Sequence, residues 1–304
     1  MKKLLIWLPG MLSMLAACTE AVEIPARAPE KQSPVRVELH LTTEQQAATR
    51  AMDENCIRDV NLYLYGDTEY HFYFPSVSSP LVFNVLPGNY RSYAIANAGQ
   101  DLGDKNAFKI QFYETAVDVM ESSDAIPMTD RGTLAVDGAG RCTPSSLRVT
   151  RSAAKIAYTI EVADAVAPSL RLRSVQFCNL PLTIRPFDSG SISSTVEANY
   201  YDGEAMPVGN ERRTAGTAYL FENLQGSVDT ITDQKDKCPE NAPACATYLR
   251  ILAERSADKA LVEYIVYPGE NNTSDFNVRR NTWHNLELVI RGENEIDNRV
   301  LVYD

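Results

Sequence analysis

Tyr264-Ile-Val-Tyr-Pro-Gly-Glu-Asn-Asn-Thr-Ser-Asp-Phe-Asn-Val-Arg-Arg-Asn-Thr-Trp-His-Asn-Leu-Glu-Leu-Val-Ile-Arg-Gly292 reads as two β-strands flanking a polar loop. Val262, Tyr264 and Val266 alternate with Glu263, Ile265 and Tyr267, the period of a strand with distinct faces. Pro268-Gly269 and Asn271-Asn272 then stop the run, because proline presets φ while glycine and asparagine reach the backbone angles that turns need. A second strand follows from Trp283 to Ile290, with Trp283, Leu286, Leu288 and Ile290 as its candidates for burial, and the two are expected to pair antiparallel. Asn271-Asn272-Thr273 has the form of an N-glycosylation acceptor, but in this setting its expected role is to cap or bridge the turn.

The same rhythm runs outward through the chain. Val35, Val37, Leu39 and Leu41 alternate with Arg36, Glu38 and His40 in a half-buried strand, followed by a polar, Ala-rich loop from Thr42 to Asn55. Ile57 to Tyr65 is a second strand with Val60, Leu62 and Leu64 on one face and Asn61, Tyr63 and Tyr65 on the other. His71 to Phe74, Leu81 to Leu86 and, after the turn Pro87-Gly88-Asn89, Tyr90 to Asn97 continue the series. Phe108, Phe112, Ala116 and Val119 or Met120 recur at helical spacing, so a helix over 106–121 is expected along one sheet edge, although Ile110 and Tyr113 also fit a strand. Turn formers at Asp137-Gly-Ala-Gly140 and Thr143-Pro144 mark a boundary, beyond which Leu147 to Val162 reads as one alternating strand, with further strands at 170–180 and 218–224. Short strands separated by such turns make an all-β sandwich.

Export is written at the N-terminus. Lys2 and Lys3 precede an apolar run from Leu4 to Leu15, too short for a permanent span and typical of a signal peptide over 1–17. It ends Leu15-Ala16-Ala17-Cys18, small residues before a cysteine, the arrangement of a lipoprotein processing site, so Cys18 is expected to carry the lipid anchor. The other reading is an ordinary signal peptide with an incidental cysteine. Residues 18–33, with Pro25 and Pro29 and no apolar period, form an extended tether. Of 304 residues 44% are apolar, enough for a globular body, and the net charge of −11 leaves no basic stripe for nucleic-acid phosphates.

Beyond Cys18 five cysteines remain, an odd number. Cys238-Pro-Glu-Asn-Ala-Pro-Ala-Cys245 closes a short loop, and outside the reducing cytoplasm a bridge between Cys238 and Cys245 is expected, with zinc as the weaker competitor because no second close pair exists. Catalytic motifs of the G-x-S-x-G, H-E-x-x-H and phosphate-loop types are absent, and His40, His71 and His284 fall in expected strands, so no enzyme, metal or cofactor is indicated.

Tyr-Pro-Gly-Glu-Asn-Asn-x-Ser-Asp-Phe-Asn-Val-Arg-Arg-Asn-Thr with its following strand, Leu86-Pro-Gly-Asn-Tyr-x-x-Tyr-Ala-Ile-Ala-Asn97 and Tyr219-Leu-Phe-Glu-Asn-Leu-Gln-Gly226 together resemble the fimbrillin-like lipoproteins that build type V fimbriae in Bacteroidales. The resemblance implies two tandem transthyretin-like β-sandwiches, here over 34–145 and 146–304, with neighbouring fimbrial subunits as partners through strand addition. It also implies cleavage by a trypsin-like protease after an arginine in the loop behind the first strand; the matching position is Arg50, with Ala51 the new N-terminus. Asp229-Thr230-Ile231 resembles the O-glycosylation acceptor of the same bacterial group, which makes Thr230 a modification candidate. Only a four-residue apolar stretch, Val300 to Tyr303, closes the chain, which favours a tip or accessory subunit that accepts a strand and donates none. The alternative is an outer-membrane surface lipoprotein that binds a glycan or host ligand without polymerising.

Overall fold

The computed structural model describes residues 32–43, 54–118, 120, 125–188, 193–209, 211–293 and 295–303. By its contacts the chain divides into Met1–Gln32 and Ser33–Asp304, and every element below belongs to the second unit. The signal peptide, Cys18, Arg50 and Ala51 lie outside the described residues.

The first half supplies β1 (Val35–Thr43), β2 (Val60–Tyr65), β3 (Glu69–Phe74), β4 (Leu81–Val85), β5 (Gly88–Ala96), the short helix α1 (Ala107–Gln111), β6 (Thr115–Ala116), β7 (Met128–Val136), β8 (Cys142–Thr143) and β9 (Ser146–Arg151). Apart from β6 these strands make one sheet in the order β3-β2-β5-β7-β9-β1-β4, with β8 hanging from β7. The sheet curls until its end strands meet, the Phe72 and Phe83 rings packing with centroids 4.9 Å apart. Val37, Leu39, Val60, Leu62, Leu64, Leu81, Phe83, Val85, Leu134 and Leu147 fill its inside. Period-2 alternation is what delivers those side chains to a common interior.

The outer face of β2 is buried as well. Tyr63, Tyr65, Tyr93 and Ile95 form a second layer under Ile110 and Phe187, and the segment after β5 is tied down over it. Tyr63 donates to the Gly103 carbonyl at 2.8 Å, Tyr65 to that of Lys105 at 2.5 Å, and Asn61 Nδ2 to that of Gln100 at 3.0 Å. This cover corrects the expected helix over 106–121. The helix is interrupted: Ala107–Gln111 is α-helical with Ile110 as its buried residue, Thr115–Ala116 pairs as a strand, and Val117, Asp118 and Met120 are helical again. Phe108 and Phe112, expected in the apolar stripe, pack against each other at a tilt and face solvent.

The second half supplies β10 (Ala153–Val162), β11 (Leu170–Cys178), β12 (Leu180–Pro181), β13 (Thr183–Ile184), β14 (Tyr200–Tyr201), β15 (Met206–Pro207), β16 (Arg213–Phe221), β17 (Tyr248–Arg255), β18 (Leu261–Val266), β19 (Trp283–Gly292) and β20 (Glu295–Tyr303). Two four-stranded sheets, β16-β10-β19-β20 and β15-β11-β17-β18, close over one apolar core that includes Ile156, Leu172, Ile251, Tyr264, Val266, Leu286, Leu288 and Ile290. The strand expected over 147–162 is therefore two: β9 stays in the first sheet beside β1 and β7, and the chain changes sheets at Ser152.

The expected antiparallel pair in the opening stretch is not formed. β18 pairs with β17, whereas β19 lies between a parallel β10 and an antiparallel β20, so the two strands sit in opposite sheets. Each has a face that must enter the core, and the connection at 267–282 crosses from one sheet to the other. The Tyr264 hydroxyl donates to the Gly292 carbonyl at 2.6 Å across that gap. Gly269 lets the crossing turn close, since its φ is +152° and a Cβ there would lie 2.1 Å from the Asp275 carbonyl oxygen. The Asn271 side chain caps the turn as expected, accepting from the backbone N–H groups of Thr273, Ser274 and Asp275 at 2.9, 2.8 and 3.1 Å. The closing strand is longer than the four residues expected: nine residues, paired with β19 from Glu295 to Tyr303.

Candidate strand-exchange site

β1 is an interior strand that comes from outside the hairpin succession of the sheet. It runs antiparallel to β4, from Val35 against Val85 to Leu39 against Leu81, and parallel to β9, from His40 against Ser146 to Thr43 against Val149. Its faces are strictly sorted. Val37 and Leu39 are fully buried, Val35 and Leu41 pack against the same core, and Arg36, Glu38 and His40 point to solvent. Hydrogen bonds carry the rest of the fit, with the His40 N–H donating to the Ser145 carbonyl at 3.0 Å and the Thr42 side-chain hydroxyl to that of Leu147 at 3.2 Å. Fully burying a Val or Leu side chain stabilises by roughly 1.5–3 kcal/mol, so withdrawing β1 would uncover an apolar groove with unpaired backbone on both sides.

The loop behind β1 re-enters the described chain at a fixed point that sequence reasoning missed. Glu54, read as part of a polar exposed loop, is buried. Its Oε1 accepts from Lys155 Nζ at 2.6 Å and from the Tyr219 hydroxyl at 2.8 Å, and Arg151 Nη1 lies 3.7 Å from Oε2. Lys155 also stands over the Trp283 ring, 4.9 Å from its centroid. Burial first, then the bond to Glu54, raises the Tyr219 phenol well above its ordinary range. No local pattern announces this carboxylate, because its partners come from β9, β10 and β16.

The remaining sequence candidates fall elsewhere. Cys238 and Cys245 are free thiols, so the expected bridge between them is not formed in this structure. The intervening loop winds into a turn, the Ala242 N–H donating to the Cys238 carbonyl at 3.0 Å, and the two thiols end in different surroundings. A hydrogen bond with Glu240 raises the partly exposed Cys238, whereas burial raises Cys245. Thr230 is exposed in a turn with Asp229, while Ile231 is buried beneath it. His71 stacks on Tyr63 with centroids 4.4 Å apart and its Nε2 faces Asn61 Oδ1 at 3.1 Å. Among the described residues no group of three His, Cys, Asp or Glu side chains could hold a metal, and no helix is long and apolar enough to cross a membrane.

The overall fold is shared with solved structures. The fimbrilin of Porphyromonas gingivalis W83 superposes with a TM-score of 0.62 at 14% identity, over 88% of this chain and 96% of that one. The chain has the fimbrillin fold. A Bacteroides eggerthii DSM 20697 protein assigned to cell adhesion matches this chain at TM-score 0.64 and 13% identity, over 90% and 96% of the two chains. The C-terminally truncated tip fimbrial protein Mfa3 of Porphyromonas gingivalis matches at 0.56 and 13%, over 90% and 100%. Residues 218–288, from β16 to β19, match the model of a domain of unknown function, DUF4906. No curated protein sequence matches the chain.

Proposed function

We propose that this chain is a subunit of a cell-surface fimbria, exported as a lipoprotein on Cys18 and assembled by strand exchange once the loop behind β1 is cut between Arg50 and Ala51. The observation that carries the reading is β1 itself. It is a fully seated interior strand with a buried apolar face, and it is covalently continuous with the rest of the fold only through the loop that contains Arg50. Cutting that loop would free residues 18–50 with the lipid, and a neighbour's extended segment with apolar residues at alternate positions would fit the vacated seat. The fold it shares with the fimbrilin and the tip protein supports the same reading.

Within a fimbria we assign it a tip or accessory position. β20 is held along its whole length by β19, Ile296 and Val300 pack on the core, and its outer edge is bonded too, the Val300 N–H donating to Asn272 Oδ1 at 2.9 Å. The acceptor seat is thus the part of the molecule closest to exchange. Arg50→Ala is the test in cells: the variant is expected to reach the outer membrane and to stay out of fimbriae. Fimbriae that incorporate Arg50→Ala at the ordinary level would overturn the cleavage step. Cys18→Ala should leave the chain unprocessed, and normal outer-membrane fractionation of that variant would remove the anchor from the account.

A further inference from the structure

β9 pairs with β1 only from His40 onward, so along Val35–Leu39 the edge of β1 opposite β4 is met by something else. That something is the β7–β8 hairpin. Gly140, at φ +79°, lies directly on β1: a Cβ built there would stand 2.1 Å from the Arg36 carbonyl oxygen. Two residues further, Cys142 Sγ donates to the Glu38 carbonyl at 3.3 Å. The two carbonyls on this free edge of the strand therefore face one turn, one through bare backbone contact and the other through a thiol.

The turn is stiff for its size. The Asp137 carboxylate accepts from the Ala139 and Arg141 N–H groups, both at 2.9 Å, and from Arg141 Nε at 2.8 Å. The main chain closes it twice more, Asp137 N–H to the Arg141 carbonyl and Gly140 N–H to the Asp137 carbonyl, each at 3.0 Å. Val136 against Cys142 and Ala135 against Thr143 then fasten the returning strand to β7. Sequence alone reads Asp137-Gly-Ala-Gly140 as a boundary; in the fold it is a rigid finger laid across β1.

We propose that residues 137–142 are a clasp that retains β1 after the loop behind it is cut, making cleavage and strand release separate steps. The proposal rests on the strand-exchange reading above and adds a device that sets when the seat becomes vacant. A nicked subunit would keep its own strand, and its groove would stay covered, until an incoming segment displaced strand and finger contacts in sequence. Because the Gly140 and Cys142 contacts are to main-chain carbonyls of β1, an incoming segment of different sequence would meet the same two contacts.

The test uses the full chain with residues 44–49 replaced by a recognition sequence for a site-specific protease, so that nicking does not depend on Arg50. After nicking, loss of the N-terminal fragment is followed by size-exclusion chromatography in the wild-type background and with Gly140→Ala or Cys142→Ala. The clasp requires both variants to release the fragment faster, by roughly two- to tenfold, the scale of one lost weak hydrogen bond or close contact. Equal release rates in all three nicked proteins, whether all fast or all slow, overturn it. Cys142→Ala adds no atoms and keeps the test decisive if Gly140→Ala does not fold. A labelled peptide of residues 33–43 added after release separates the two ideas: failure of the emptied protein to take it up counts against strand exchange, while differing release rates speak for the clasp.

Discussion

The His284 ring is fully buried in β19, with Nδ1 3.3 Å from the Gly269 carbonyl oxygen and Nε2 3.0 Å from the Thr282 hydroxyl. Burial pushes its pKa down to about 4, the Gly269 contact opposing the shift. The folded value lies below the unfolded one of about 6.5, so between them the unfolded chain binds the extra proton. Stability is therefore complete above about pH 6.5 and falls as pH drops toward 4, by on the order of 3 kcal/mol from this residue alone. Thermal midpoints measured from pH 7 to pH 4 should show the fall, and His284→Gln should flatten that part of the profile; an unchanged slope would mean other groups carry it. Glu54 gives a second expectation. Glu54→Gln withdraws the carboxylate from Lys155 and Arg151, both buried, and should lower the unfolding free energy by about 3–5 kcal/mol in urea titrations.

Among the elements, the strands themselves were legible and their partners were not. Alternation located β1, β3, β4 and β18 to within a residue or two, because a half-buried strand writes its two faces into the sequence. The same alternation is silent on which sheet a strand joins, and so β18 and β19 read as a hairpin although they lie on opposite sides of a core. β7 and β17 went unread: Asp130-Arg131-Gly132 interrupts the first and Arg250 and Glu254 punctuate the second, diluting the apolar signal. The expected helix is broken by β6, and its spacing misled for the opposite reason, since the helical repeat at Phe108 and Phe112 belongs to the solvent side. The turn chemistry of 268–278 was the most readable feature, and it can be tested. Asn271→Ala removes a side-chain oxygen that accepts three backbone N–H groups and should cost about 1–2 kcal/mol by chemical denaturation. A cost near zero would show the turn to be held by Asp275 and Gly269 without it.

At the scale of the whole molecule, the all-β rhythm pointed to a sandwich protein, and the fold agrees with the solved fimbrilin. The candidate site was half legible. The sequence shows β1 as a strand ahead of a loop with a basic residue, but its insertion pairs Val35 with Val85 on one side and His40 with Ser146 on the other, separations that leave no local trace. Likewise the anchoring of Glu54 depends on long-range partners, Lys155, Arg151 and the Tyr219 hydroxyl. On the proposed reading, a cut after Arg50 would fall between the seated strand β1 on one side and the buried Glu54 carboxylate on the other. After cleavage the main body should therefore keep its fold, with the exchangeable part confined to residues before Ala51. Determination of the N-terminus of this chain in fimbriae sheared from the cell surface tests that claim most directly. The expected first residue is Ala51; chains that all begin at lipidated Cys18 would contradict the account and leave a lipoprotein that keeps its own strand.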